Sequence, residues 1–423
     1  MTELLSPAGN MEKMRAAIRF GADAVYLAGK GFGMRSAADN FTDEELAEAV
    51  AYAHARGKKV YLTVNTIPHG GEYPRLVSYL KSIRNIGLDA MIVTDLGVLV
   101  TVRELLPEME IHVSTQSSIV SPAAARAWAA LGAKRLVLAR ELRLGEVCAI
   151  REALDPAVEL EAFVHGSMCV SYSGRCMLSN HFTGRDANRG ACTQPCRWSY
   201  TVVEEKRPDE PLPVIENENG TFIMSSKDMC MLRHIEQLIK AGIASFKIEG
   251  RMKSAYYTAV ITNAYRMAID AYLRDPAGYR FDEALYREVE SVSHREYCTG
   301  YWFDDVRTAP QLCRDPGYIR EKAYFAAATE QTVPAGLVRE DQNGVLCRFR
   351  QRNKLSLGDS AELLTPGRVG IPFRITELYD EAGVPIESAP HPLMIFYTRL
   401  PVAAAEGDIL RAGDEDENKG ERV

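Results

Sequence analysis

The side chains best suited to chemistry are concentrated between His165 and Arg197, HGSMCVSYSGRCMLSNHFTGRDANRGACTQPCR. Cys169, Cys176, Cys192 and Cys196 lie here, four of the nine cysteines in the chain, and Cys230 follows. The spacing is C-x6-C-x15-C-x3-C, then 33 residues to Cys230. Structural zinc sites favour paired knuckles two to four residues apart, and only Cys192 and Cys196 have that spacing. A four-iron cluster needs four thiolates and tolerates varied spacing. A thiol nucleophile with His165 as its base would leave the other cysteines unexplained. The residues alone place an iron–sulfur cluster first and zinc second, with thiol catalysis or inert thiols still open. Arg175, Arg185, Arg189 and Arg197 stand in the same stretch against one acid, Asp186. Cys148, Cys298, Cys313 and Cys347 stand alone, and a lone cysteine is ordinarily a small buried hydrophobe.

Gly166, Gly174, Gly184 and Gly190 break any helix in this stretch, so it reads as a loop that other elements must hold. The flanking sequence alternates short apolar runs with amphipathic segments. Strands are expected at Glu3–Gly9, Asp23–Gly29, Lys58–Asn65, Asp89–Asp95, Glu110–Gln116, Arg135–Glu141, Glu159–Gly166 and Ser245–Gly250. Helices are expected between them. One runs from Thr42 to Arg56, opened by a capping box of Thr42 and Glu45; another runs from Cys230 to Ala241. Tyr200–Glu204 and Thr221–Met224 suggest an inserted hairpin. Eight such units imply an α/β fold, a (β/α)8 TIM-like barrel over residues 1–307 with a cysteine-rich loop at 165–230. A doubly wound sheet is the runner-up, disfavoured because no GxGxxG follows the first strand.

The active face of such a barrel lies at the C-terminal strand ends. Those ends carry Ser6, Arg35, Asn65, Asp95, Ser114, Gln116, Arg140, Glu141, His165, Lys247, Glu249 and Arg251. Each alone suits a cap or turn; together they suggest a polar cavity. After a linker at Thr308–Gly317, the segment 318–412 reads as a small β-barrel or sandwich, and 413–423 as an acidic tail. Arg348, Arg350 and Arg352 share a face of one expected strand. That row reads first as a solvated edge and second as a phosphate contact. The net charge of -7 gives no global basic signature. With no signal-peptide core and no apolar span, the sequence is expected to be cytoplasmic and away from membranes, where clustered thiols favour metals over disulfides.

The segments ELLSPAGN, FVHGSMCVSYSGRCMLSNHFTGRDANRGACTQPCRWSY, MSSKDMC and FKIEGRMKSAYY resemble the collagenase-like peptidase family U32. Within it the added C-terminal β-domain resembles the tRNA hydroxylation branch, the prephenate-dependent tRNA uridine hydroxylases. The resemblance implies C5 hydroxylation of the wobble uridine in a tRNA anticodon loop, with prephenate as co-substrate. It also implies a [4Fe–4S] cluster on Cys169, Cys176, Cys192 and Cys230, with Cys196 spare. Amides of a helix starting near Cys230 would then face the anionic cluster. Related members suggest a paralogous subunit as a possible partner. Under this resemblance His165, Glu249 and Lys247 are the candidate catalytic groups. Arg140 and Arg251, with Lys247 beside them, suit ligand carboxylates. Arg175 and Arg189, with Tyr172, Phe182 and Trp198, suit an RNA loop. The family label leaves a peptidase as the alternative, although the sequence has no H-E-x-x-H and no G-x-S-x-G.

Overall fold

The computed structural model describes residues 2–34, 39–169, 171, 173, 176, 178–187, 190–198, 216–217, 220–221, 226–303 and 319–414. Arg35, Tyr172, Arg175, Arg189, the Thr308–Gly317 linker and the Tyr200–Glu204 half of the expected hairpin lie outside these residues.

The strands in chain order begin with β1 (Glu3–Pro7), β2 (Ala24–Leu27), β3 (Lys59–Val64), β4 (Ala90–Val93), β5 (Glu110–Val113), β6 (Arg135–Val137) and β7 (Glu159–Ser167). The short strands β8 (Glu216–Asn217), β9 (Gly220–Thr221) and β10 (Asp228–Cys230) follow, then β11 (Ser245–Ile248). From β1 to β7 each strand pairs in parallel with the next. β11 pairs in parallel with both β1 and β7, which closes an eight-stranded barrel. The connecting helices are α1 (Met11–Arg19), α2 (Asp43–His54), α3 (Tyr73–Ile83), α4 (Leu96–Leu105), α5 (Pro122–Ala130) and α6 (Leu144–Glu152). α7 (Leu178–Thr183) lies in the cysteine loop, and α8 (Ile235–Lys240), α9 (Ala255–Arg274) and α10 (Glu283–Glu290) complete the set. The barrel is the expected (β/α)8 arrangement.

The strands are buried on both faces, as a helix-covered parallel sheet requires. Outward residues such as Val25, Leu27, Val60 and Leu62 pack against helices. Inward residues Leu5, Ala24, Tyr26, Tyr61, Ala90 and Ile92 fill one side of the barrel. The other side is charged: Arg135 contacts Glu3 at 2.5 Å and Glu161 at 3.2 Å, and Lys247 contacts Glu161 at 2.6 Å.

The expected helix from Cys230 is corrected. Asp228–Cys230 forms β10, antiparallel to the end of β7 with Cys230 opposite His165. A 3-10 turn at Leu232–His234 follows, and α8 starts only at Ile235. β7 is nine residues long and outruns the barrel. Without β10 its projecting edge would have unpaired backbone groups, and pairing them outweighs the local helical pattern. Of the second hairpin segment, only Thr221 is described, paired with Glu216 across β8 and β9.

Beyond β12 (Tyr297–Cys298) comes an antiparallel β-domain. Its strands are β13 (Tyr324–Ala328), β14 (Glu340–Asp341), β15 (Gly344–Gln351), β16 (Leu355–Ser356), β17 (Ser360–Leu364) and β18 (Ile371–Arg374), then β19 (Tyr379–Asp380), β20 (Ser388–Ala389), β21 (Ile395–Leu400) and β22 (Ile409–Ala412). The main sheet runs β18-β17-β22-β13-β15-β21-β19. Arg348 and Arg352 of the expected cationic row are engaged, with Glu381 at 3.2 Å and with Glu12 of α1 at 2.6 Å; Arg350 is exposed. Among the described residues, no helix is long and apolar enough to cross a membrane.

Candidate functional site

A cavity of about 510 Å³, counted to its open mouth, lies at the C-terminal ends of the barrel strands. Asn65, Ser114, Gln116, Arg140, Lys247, Glu249 and Arg251 from the expected strand-end set line it. Four of them belong to just two chain segments: Arg140 follows β6, while Lys247, Glu249 and Arg251 lie in or just after β11.

Lys247 points inward from β11 and is only 4% exposed. Its Nζ donates to Glu161 Oε1 at 2.6 Å and sits 4.5 Å from the centre of the Tyr26 ring. Burial pulls the Lys247 ammonium below its ordinary value, outweighing the carboxylate that pulls the other way. Burial pushes Glu161 up, yet the combined charges of Lys247 and Arg135 outweigh it and hold the carboxyl below its ordinary value. Arg140 donates from a terminal nitrogen to the Ser167 carbonyl at 3.0 Å, and its guanidinium lies 4.0 Å from the centre of the Phe163 ring. Glu249 Oε2 accepts from its neighbour Gly250 N at 3.0 Å and lies 3.2 Å from Tyr26 Oη, whose one proton it shares with the Ile248 carbonyl at 2.9 Å. Burial drives Tyr26 well above the ordinary phenol value, so it remains a donor.

Other expected residues fall elsewhere. Ser6 is a core residue bonded to Thr262 Oγ1 at 2.8 Å. Asp95 caps α4, accepting from Val98 N at 3.1 Å. Glu141 accepts from Ser173 N at 2.9 Å, so it ties the cysteine loop to the barrel. His165 does not line the cavity. It is 1% exposed, ringed by Tyr257, Tyr265 and Tyr297, with Nε2 3.4 Å from Tyr297 Oη. Burial pushes its imidazole well below the ordinary value, which keeps it neutral. The structure thus brings Glu249 and Lys247 together and leaves His165 apart.

Sequence reasoning missed Tyr26, Thr63, Phe163 and Glu161. The first three line the cavity from within strands, and Glu161 backs Lys247. The available signal was the alternation Glu159, Glu161, Phe163 inside an otherwise apolar strand, which puts a carboxylate on the inward face.

Cys169 is exposed, Cys176, Cys192 and Cys196 are half-buried, and Cys230 is buried. Burial pushes the Cys230 thiol up to about 12. Among the described residues no three Cys, His, Asp or Glu side chains are placed to hold a metal ion. A four-iron cluster needs four thiolates converging on one point, and Cys169, Cys176, Cys192 and Cys230 are the thiols that would supply them. On the same loop Phe182 and Trp198 are 49% and 39% exposed, with ring centres 6.3 Å apart.

The chain matches Peptidase family U32 over residues 9–310 and the Peptidase family U32 C-terminal domain over residues 331–411. It is 37% identical to tRNA hydroxylation protein P1 of Bacillus subtilis (strain 168), over 97% of this chain and 94% of that protein. It is 37% identical to tRNA hydroxylation protein P of Escherichia coli (strain K12), over 92% of this chain and 91% of that one. A third relative, 23S rRNA 5-hydroxycytidine C2501 synthase of Escherichia coli (strain K12), is 42% identical over 64% of this chain and 40% of its own length. Two profiles in tandem and near-full-length similarity lead to one conclusion: the chain belongs to peptidase family U32.

Proposed function

We propose that this protein is an RNA-modifying hydroxylase, and that its substrate is the wobble uridine of tRNA. The hydrogen at C5 of the base is replaced by hydroxyl, giving 5-hydroxyuridine. Prephenate is the proposed co-substrate. The proposed cofactor is a [4Fe–4S] cluster held by Cys169, Cys176, Cys192 and Cys230. A paralogous subunit is the proposed protein partner, and the cytoplasm the proposed location.

The observation that carries the reading is the cationic cavity at the barrel mouth, in a chain whose near-full-length relatives are named for tRNA hydroxylation. Arg140 and Arg251 suit the carboxylates of a small dianion, since guanidinium groups bind carboxylates through paired hydrogen bonds. The exposed Phe182 and Trp198 suit unstacked bases of an RNA loop. A peptidase reading has the family name behind it but little chemistry. The sequence has no H-E-x-x-H and no G-x-S-x-G.

The test is mass spectrometry of tRNA nucleosides from a deletion strain complemented with wild-type or Cys176→Ala protein. The expected result is 5-hydroxyuridine or its derivatives with wild type and their loss with the variant. Equal levels with wild type, variant and empty vector, in a strain without paralogues, would sink the proposal.

A further inference from the structure

Among the described residues, Thr63 Oγ1 and Arg140 Nε of the cavity lining have no hydrogen-bond partner. Thr63 is 3% exposed. Buried polar atoms are ordinarily satisfied, so both suit a ligand that carries oxygens. Arg140, Arg251 and Lys247 make the lining cationic, against Glu249 alone, whose carboxylate already accepts from Gly250 and lies 3.2 Å from Tyr26 Oη.

Lys247 differs in kind from the two arginines. A guanidinium keeps its charge under all ordinary conditions, whereas an amine that loses a proton becomes a nucleophile. Two features of the site favour that loss. Lys247 is enclosed by the Tyr26 and Phe163 rings, 4.5 and 5.4 Å from its Nζ. Glu161 would not be stranded, because Arg135 stays 3.2 Å from it. Burial lowers the Lys247 ammonium from its ordinary value, in agreement with the geometry.

We propose that Lys247 forms an imine with the carbonyl carbon of a small 2-oxo acid whose carboxylate is held by Arg140 and Arg251. This rests on reading the cavity as the substrate site and is independent of RNA. The ammonium gives its proton to solvent, and Glu161 stays a carboxylate beside Arg135. The free Nζ attacks the carbonyl carbon; a C–N bond forms and the carbonyl π pair moves to oxygen. A proton passes from nitrogen to that oxygen, giving a carbinolamine. The hydroxyl takes a proton from solvent and leaves as water, and a protonated imine remains. One water is released and nothing is oxidised or reduced.

The experiment incubates the full-length protein with pyruvate or phenylpyruvate, then adds sodium borohydride, whose hydride reduces any imine to a stable secondary amine. Intact mass and peptide mapping locate the adduct. The expected result is one saturable adduct at Lys247, absent in Lys247→Arg, with half-saturation raised roughly tenfold or more in Arg140→Gln, the loss of one charge-assisted contact. Wild-type protein with no adduct at Lys247, or with adducts spread over surface lysines, overturns the proposal, and that map needs no variant to fold. Labelling is read without tRNA. Lys247 labelled while tRNA uridine stays unmodified would defeat the hydroxylase reading and leave the imine standing; the reverse result would do the opposite.

Discussion

His112 shows what a single titratable residue does inside this barrel. It is fully buried, its ring meets Tyr61 edge-on at 4.7 Å, and Nε2 lies 2.9 Å from Glu110 Oε1. Burial lowers its imidazole from the ordinary 6.5, and the Glu110 contact only partly opposes this. The unfolded chain therefore takes up a proton at His112 at a higher pH than the fold does. Stability from neutral His112 is complete above about 6.5 and is lost as pH falls through that value toward the folded one. One proton contributes at most about 1.4 kcal/mol per pH unit. His165, His234 and His294 shift in the same direction by burial, so the wild-type slope sums several groups. His112→Gln keeps a donor for Glu110 and removes one titration. Urea unfolding between pH 5 and pH 7 should show a shallower pH dependence for the variant. Parallel curves for variant and wild type would show that His112 does not titrate differently on folding.

Elements were legible where their signals are local. Both halves of the α2 capping box sit within four residues, and both bonds form: Glu45 N donates to Thr42 Oγ1 at 3.2 Å, and Thr42 N to Glu45 Oε2 at 2.8 Å. Polar residues just past a strand end, such as Asn65 and Arg140, were legible because chain position places them at the mouth. Tyr26, Thr63 and Phe163 were not, since a strand buried on both faces does not say which residues point inward. β10 was illegible because its partner, β7, is remote in sequence. β13, Tyr324–Ala328, has three alanines and weak strand propensity, and its neighbours β15 and β22 fix it. One glycine governs how β7 meets β11. Gly166 has φ of 106°, and an added Cβ would lie 2.5 Å from the Glu249 carbonyl oxygen and 3.0 Å from Tyr257 Oη. Neither neighbour can move freely: Glu249 N donates to the His165 carbonyl, and Tyr257 Oη donates to the Glu249 carbonyl at 3.0 Å. Gly166→Ala should lower stability by more than about 1 kcal/mol in urea unfolding, because alanine at positive φ adds strain to the clash. An unchanged midpoint and slope would show that the strand ends yield without resistance.

At the scale of the whole molecule, Arg411 joins the two domains. It lies in β22 and is 2% exposed. Within the β-domain its Nε donates to Glu362 Oε2 at 2.6 Å. Across the boundary its terminal nitrogens reach Glu288 Oε1 of α10 at 2.8 Å, and Tyr256 Oη and Ser291 Oγ at 3.1 Å each. The next residue after Tyr256, on the same helix α9, is Tyr257, which holds the Glu249 carbonyl at the cavity. The domain boundary and the barrel mouth thus lean on adjacent residues of one helix. Removing the guanidinium leaves Glu288 and Glu362, both under 10% exposed, without their shared cation. Stranding a buried charge in this way costs about 3–5 kcal/mol. Lys322 stays 3.2 Å from Glu362 and softens that side, whereas Glu288 keeps only the Gly370 amide at 3.0 Å among its described cross-domain contacts. The loss therefore falls mainly on the boundary rather than inside the β-sheet. Arg411→Ala should separate the unfolding of the β-domain from that of the barrel, giving two calorimetric transitions with the earlier one belonging to residues 319–414, assigned by limited proteolysis at that temperature. A single transition shifted as a whole would instead mean that the two domains remain one cooperative unit without this residue, held by contacts such as Asn263 with the Arg368 carbonyl at 2.8 Å.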